Sequence, residues 1–179
     1  MKPNTVGQTP AAAPRGGPVT SPVIPSRAHG GATRDAGIPA GTIVLTLKGE
    51  MPVEDIVPGD RIITRNGGAV PLQRHDITTV TVPAVRVSAG SLGDTRPESD
   101  TTLPAAQGVL LRDWRARAIF GQPQAVAPAG VLVDDEFITD LGQQDLVLHH
   151  LVFDRDQVVY AGGLELLAPA ATAALVHAA

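Results

Sequence analysis

Gly37-Ile38-Pro39-Ala40-Gly41-Thr42-Ile43-Val44-Leu45-Thr46-Leu47 runs into Lys48-Gly49-Glu50, and Arg61-Ile62-Ile63-Thr64 runs into Arg65-Asn66-Gly67-Gly68. The β-branched and leucine run from Thr42 to Leu47 predicts a strand, and Lys48-Gly49-Glu50 predicts the turn that closes it. Met51 to Ile56 reads as a short connector with one helical turn, and Val57-Pro58-Gly59-Asp60 as a second turn. Arg61 to Thr64 is then the next strand. Asn-Gly is a strong hairpin signal because a type I′ turn needs positive φ at both central residues. It makes Ala69 to Arg74 the expected return strand.

The same pattern continues outward. Asp76 to Val82 and Ala84 to Ser88 are strand-like and split by Pro83, which fits an edge or a bulge. Gly90 to Asp100 is a polar loop. Thr101 to Pro104 and Val109 to Leu111 flank a turn of small residues, and Trp114 to Phe120 suits either a short helix or a strand. Val126 to Val133 is apolar and interrupted by Pro128; Asp145 to Phe153 and Gln157 to Tyr160 form the last long pair. The Ala-rich segment from Leu164 to His177 predicts a frayed helix. Short strands about ten residues apart predict an all-β fold.

Composition agrees. The 179 residues include 19 glycines and 16 prolines, natural for many strands and turns. With 43% apolar and only 3% aromatic residues, any core must be mostly Val, Leu, Ile and Ala. There is no cysteine, which excludes a disulfide scaffold, a thiolate metal site and a cysteine nucleophile. No apolar run reaches the roughly 18 residues of a membrane helix, and Met1 to Gln8 lacks the apolar stretch of a secretory leader. The default expectation is a soluble, cytoplasmic protein with no membrane partner.

Charge divides the chain. Residues 1–36 hold Lys2, Arg15, Arg27, Arg34 and Asp35, six prolines, five glycines and no Leu, Phe, Tyr or Trp. Such a segment buries too little apolar surface to offset its ordering entropy, so it reads as a disordered arm. Residues 37–179 carry 10 basic and 17 acidic residues, which disfavours nucleic acid as a partner. Residues 37–167 are read as the β domain and residues 168–179 as an Ala-rich tail.

Candidate sites are few. His149-His150 with Asp154 and Asp156 is the one cluster of metal-ligand types, but neighbours on a strand point to opposite faces, so no metal site is expected. Asp134-Asp135-Glu136 reads as a solvated turn. Arg112, Arg115 and Arg117 surround Trp114, and strand-like alternation would put Arg115 and Arg117 on one face, suited to an anion or acidic peptide. Glu54 or Asp55 pairs with Arg61 across the Pro-Gly turn in this reading. There is no P-loop, dinucleotide fingerprint, Gly-x-Ser-x-Gly elbow or His-Glu-x-x-His pair, so no cofactor is expected.

The strings from Gly37 to Thr46, Gly49 to Ile56 and Pro58 to Gly68 resemble the opening of a Hint (hedgehog/intein) domain, in particular the bacterial group common in alphaproteobacteria. Asp100 to Gly121, centred on Val109-Leu110-Leu111-Arg112-Asp113-Trp114, and Leu151 to Glu165 agree with that group in the same order. The resemblance covers residues 37–167. It implies a flattened all-β horseshoe of two pseudo-twofold halves whose ends meet at an active site.

It also implies an autocatalytic rearrangement in which a first-position Cys or Ser attacks the preceding carbonyl. A His protonates the leaving nitrogen and other donors hold the oxyanion. The first position here is Gly37, which has no side chain to attack with. The internal His aligns with Gln107, and the late His with Asp156. The expected role is therefore a degenerate, non-splicing interaction or structural module with a protein or peptide partner. Two other readings stay open. One is residual self-cleavage at Ala36–Gly37 assisted by Thr102, Gln107 or Asp156; the other is ligand or peptide binding in the old active-site cleft.

Overall fold

The computed structural model describes residues 34–93 and 95–170. Most of the predicted arm, and the tail from residue 171 on, lie outside the described residues. The strands are β1 (Ile38–Pro39), β2 (Ile43–Thr46), β3 (Gly49–Pro52), β4 (Arg61–Thr64), β5 (Gly68–Pro71), β6 (Arg74–Val87), β7 (Thr101–Pro104) and β8 (Gly108–Leu111). Helix α1 (Trp114–Phe120) follows, then β9 (Ala125–Pro128), β10 (Ile138–Val152), β11 (Gln157–Ala161) and β12 (Leu164–Ala168). Short 3-10 turns cover Val53–Asp55 and Ala129–Leu132.

Two sheets result, confirming the all-β expectation. One is four-stranded in the order β1-β10-β6-β7; the other is eight-stranded, β3-β2-β4-β11-β12-β8-β9, with β5 paired on β4. Long antiparallel pairing joins β6 to β10, from Ile138 opposite Val87 to Val152 opposite Arg74. Phe153, fully buried, follows β10 directly, where the chain leaves one sheet for the other. Around it the core includes Ile56, Ile62, Leu103, Leu111, Ile138 and Leu166.

Several local expectations are corrected. The Asn66-Gly67 turn is not type I′, since neither residue has positive φ; Gly68 does, at +67°. Thr64 pairs with Gly68, so three residues form the loop and Gly68 supplies the left-handed step. The Asn66 side chain is needed elsewhere: Nδ2 donates to the Asp156 carbonyl at 3.0 Å and Oδ1 accepts from the Val158 N–H at 3.0 Å. Pro83 does not split its strand. It sits inside β6 opposite Gln143, and the irregularity falls on the partner, between Asp140 and Gly142.

The first part of the predicted C-terminal helix, Leu164 to Ala168, is instead β12, antiparallel to β11 throughout and buried at all but one position; residues 171–177 of that prediction lie outside the described residues. Met51 lies in β3 rather than in a connector. Arg61 donates to the Ala69 carbonyl, and Glu54 accepts from the Gly41 N–H, so the expected pairing across the Pro-Gly turn is not made. Trp114 to Phe120 is helical: Asp113 caps it by accepting from the Arg115 N–H at 3.0 Å.

Candidate functional site

Gly37 lies just before β1, which pairs with β10 so that Ile38 faces His149 and Pro39 faces Leu148. This register puts Gly37 against His150. A Cβ built on Gly37 would lie 2.9 Å from the Leu148 Cβ and 3.2 Å from the His150 Cε1. Real Cβ atoms do not approach so closely, so the position lacks both a side chain and the room for one.

Two histidine clusters flank it. The His150 Nε2 lies 2.8 Å from the Thr78 Oγ1, and the Ala36 backbone beside the ring favours its protonated form. On the opposite face, the His75 Nδ1 is 2.7 Å from the Ile56 carbonyl and the His75 Nε2 is 2.8 Å from the His149 Nδ1. A carbonyl only accepts, so His75 donates through Nδ1. With both rings neutral, the His149 Nδ1 donates to the His75 Nε2 and the His149 Nε2 is left as an acceptor. That atom is buried and has no hydrogen-bond partner among the described residues.

Burial is the main reason the His149 ring titrates below the usual imidazole value; the charge of His75 adds to this and Glu54 opposes it. The His150 ring is also lowered, by burial first, with His149 and His75 adding and Asp76 and the Ala36 backbone opposing. Both rings therefore take up protons more readily in the unfolded chain, where imidazoles titrate near about 6.5. Their stabilising effect is full above that value and is lost as pH falls below it. The urea midpoint is expected to fall between pH 7.5 and pH 5, with a shallower fall in His149→Gln. A midpoint that stays level across this range contradicts the assignment.

The other predicted residues lie in different settings. Thr102, on β7, lines a groove of about 550 Å³ between Pro39 to Ile43 and Glu98 to Thr102, with Tyr160 and Gly162 also in its wall. Its charged lining residues are Glu50, Glu98 and Asp100. Gln107 is buried, and its Nε2 donates to the Leu167 carbonyl at 2.9 Å and the Gly108 carbonyl at 3.0 Å. The Asp156 Oδ1 accepts from the Ala170 N–H at 2.8 Å. Gln107 and Asp156 thus both hold the chain between Leu167 and Ala170.

The arginines separate as well. The Arg112 Nε donates to the Glu165 Oε2 at 2.8 Å. The Arg115 Nη1 donates to the Asp113 Oδ2 at 2.6 Å, and its guanidinium lies 5.2 Å from the Trp114 ring centre. Arg115 and Arg117 are two residues apart on a helix rather than a strand, so they do not share a face. Arg117 is exposed. Reading the sequence missed Thr78 and His75, which strand pairing brings to His150 and His149, and Arg65, Arg96 and Glu165, which folding gathers at one carboxylate. The His149-His150 pair was the one visible signal. Among the described residues, no group of three or more His, Asp or Glu side chains is placed to hold a metal, and no helix is long and apolar enough to cross a membrane.

A family profile described as Hint domain matches residues 37–167. Among solved structures, a bacterial intein-like domain from Clostridium thermocellum is 14% identical, with 75% of this chain and 98% of that chain covered and a TM-score of 0.49. A splice-inactive variant of the AceL NrdHF class 3 split intein is also 14% identical, with 76% and 99% covered and a TM-score of 0.48. No curated protein matches the chain by sequence.

Proposed function

The chain belongs to the Hint domain family, and from that premise we propose that it is a Hint scaffold without self-processing activity that binds a partner in the groove beside β1. The observation that carries this reading is Gly37. The family rearrangement needs a side-chain nucleophile next to the scissile carbonyl, since only that geometry allows intramolecular attack. Gly37 supplies none, and Leu148 and His150 occupy the space one would need. Gln107, at the position of the internal His, has its amide N–H groups engaged by two carbonyls. What remains is the groove with Glu50, Glu98 and Asp100 in its lining, which suits an extended segment bearing basic residues.

The test is the intact mass of the full chain, tagged before Met1 and followed for several days with and without thiol or hydroxylamine. The expected result is an unchanged mass. Gly37→Ser is also expected to stay uncleaved, and to lose about 1–3 kcal/mol of stability through overpacking, read from its urea midpoint. Release of residues 1–36 from the wild-type chain would overturn the proposal.

A second reading has one observation in its favour. The His150 ring lies against Gly37, with its Cε1 3.2 Å from where a Cβ would be, and its Nε2 is 2.8 Å from the Thr78 hydroxyl. Under that reading, water cleaves the Ala36–Gly37 bond with His150 as base. The same mass experiment decides between the two, and His150→Gln would then abolish the cleavage.

A further inference from the structure

Glu165, on β12, is buried, with its side chain only 6% exposed. Three arginines from separate parts of the chain converge on it. The Arg65 Nη1 is 3.0 Å from Oε1, the Arg112 Nε is 2.8 Å from Oε2, and the Arg96 Nη1 is 3.8 Å from Oε2. One carboxylate therefore faces three guanidinium groups, and both of its oxygens are engaged by Arg65 and Arg112. Arg96 stands beyond hydrogen-bond distance. The three arginine side chains keep between 30% and 39% of their surface exposed, so unused N–H groups of each fork remain accessible.

Two of the three arginines, Arg96 and Arg112, edge a pocket of about 270 Å³. Arg96, Arg112 and Glu165 line it, with Leu92, Val109 and Leu164 as apolar wall. Asp113 is the other carboxylate among the described lining residues, and it is occupied by the Arg115 guanidinium and the Arg115 N–H. Arg96 and Arg112 balance Glu165 and Asp113 in the lining, and Arg65 on Glu165 and Arg115 on Asp113 add positive charge behind it, at a partly desolvated site where planar guanidinium forks match the geometry of carboxylates and phosphates. Balancing Glu165 alone would need only one of the three.

We propose that this pocket is a binding site for a small oxyanion, a carboxylate or a phosphate group on a short apolar stem, held by Arg96 and Arg112 with Arg65 behind them. The site lies apart from Gly37 and does not depend on the function proposed above. Glu165 acts as a positioning residue: it aims the Arg65 and Arg112 forks, and the unused N–H groups of Arg112 face the ligand together with Arg96.

The experiment is an amide NMR titration of the full chain with inorganic phosphate and, separately, with acetate, at constant ionic strength held with sodium chloride. Saturable shifts are expected at Leu92, Gly93, Arg112 and Gly163. Arg96→Gln should weaken binding about tenfold or more, the loss expected when a charge-assisted hydrogen bond is removed, while Arg155→Gln on the exposed surface leaves it unchanged. Tighter phosphate identifies a phosphate ligand, and tighter acetate a carboxylate. Arg112→Lys keeps the charge without the fork and gives a second reading of the same loss if Arg96→Gln folds poorly. Shifts that do not saturate, or that persist equally in both pocket variants, overturn the proposal.

Discussion

Phe153→Ala is expected to remove about 3–5 kcal/mol of folding stability, the largest single loss in this chain. Only 3% of the residues are aromatic, and Phe153 is the one ring that is fully buried; Trp114 and Phe137 are exposed, and Phe120 and Tyr160 are half-buried. Val, Leu, Ile and Ala form the rest of the core, so no second ring can fill the void. The position adds to the effect. Phe153 comes directly after β10 and pairs in parallel with Ala170, so it sits where the four-stranded sheet passes into the eight-stranded one. A cavity there loosens the contact between the sheets. A whole domain is typically stable by about 5–15 kcal/mol, so the variant should sit near its unfolding threshold at room temperature. Phe153→Leu should lose about 1–2 kcal/mol. Urea titration of both variants at pH 7.5 checks this, and a Phe153→Ala loss under about 1 kcal/mol would place the ring outside the core.

Glu165→Gln ranks second. Removing one member of a buried ion pair leaves its partner uncompensated, at about 3–5 kcal/mol when the partner is fully buried. Arg65, Arg96 and Arg112 are each about a third exposed, so solvent takes up part of that. The expected loss is about 2 kcal/mol. It should shrink in Arg65→Gln/Glu165→Gln, because the double variant removes a charge that the single one strands. The measurement is a double-mutant cycle in urea. Additive losses would mean that Arg65 and Glu165 do not act as a pair in solution.

The fold class was legible in the sequence because strands and turns leave local marks. Ile43 to Thr46, Arg61 to Thr64 and Gln157 to Tyr160 are strands for the reason expected, β-branched and apolar residues bounded by glycine and proline, although Thr42 and Leu47 fall outside the first of them. The misreadings are equally physical. Leu164 to Ala168 carries leucine and alanine, good helix formers, yet the available sheet edge beside β11 overrides that propensity. Asn66-Gly67 looks like a type I′ turn until the Asn66 side chain is drawn across to the Asp156 carbonyl and the Val158 N–H, about 90 residues away.

At the candidate site the same division holds. That position 37 is a glycine, that position 107 is an amide and that no cysteine exists are facts of composition, and the sequence by itself determined them. They already weigh against the family chemistry, because a nucleophile is a property of one residue. What lies around that glycine was decided by tertiary structure. The β6–β10 register brings Thr78 to His150 and His75 to His149 across 72 and 74 residues, and the packing of β4, β8 and β12 brings Arg65 and Arg112 to Glu165 across 100 and 53. No local pattern encodes such partners: a strand's side chains alternate whatever strand they meet, and a slip of one residue would exchange every face. The identity of the residue at each family position is written in the chain one residue at a time, and the contacts around it exist only between residues that folding brings together.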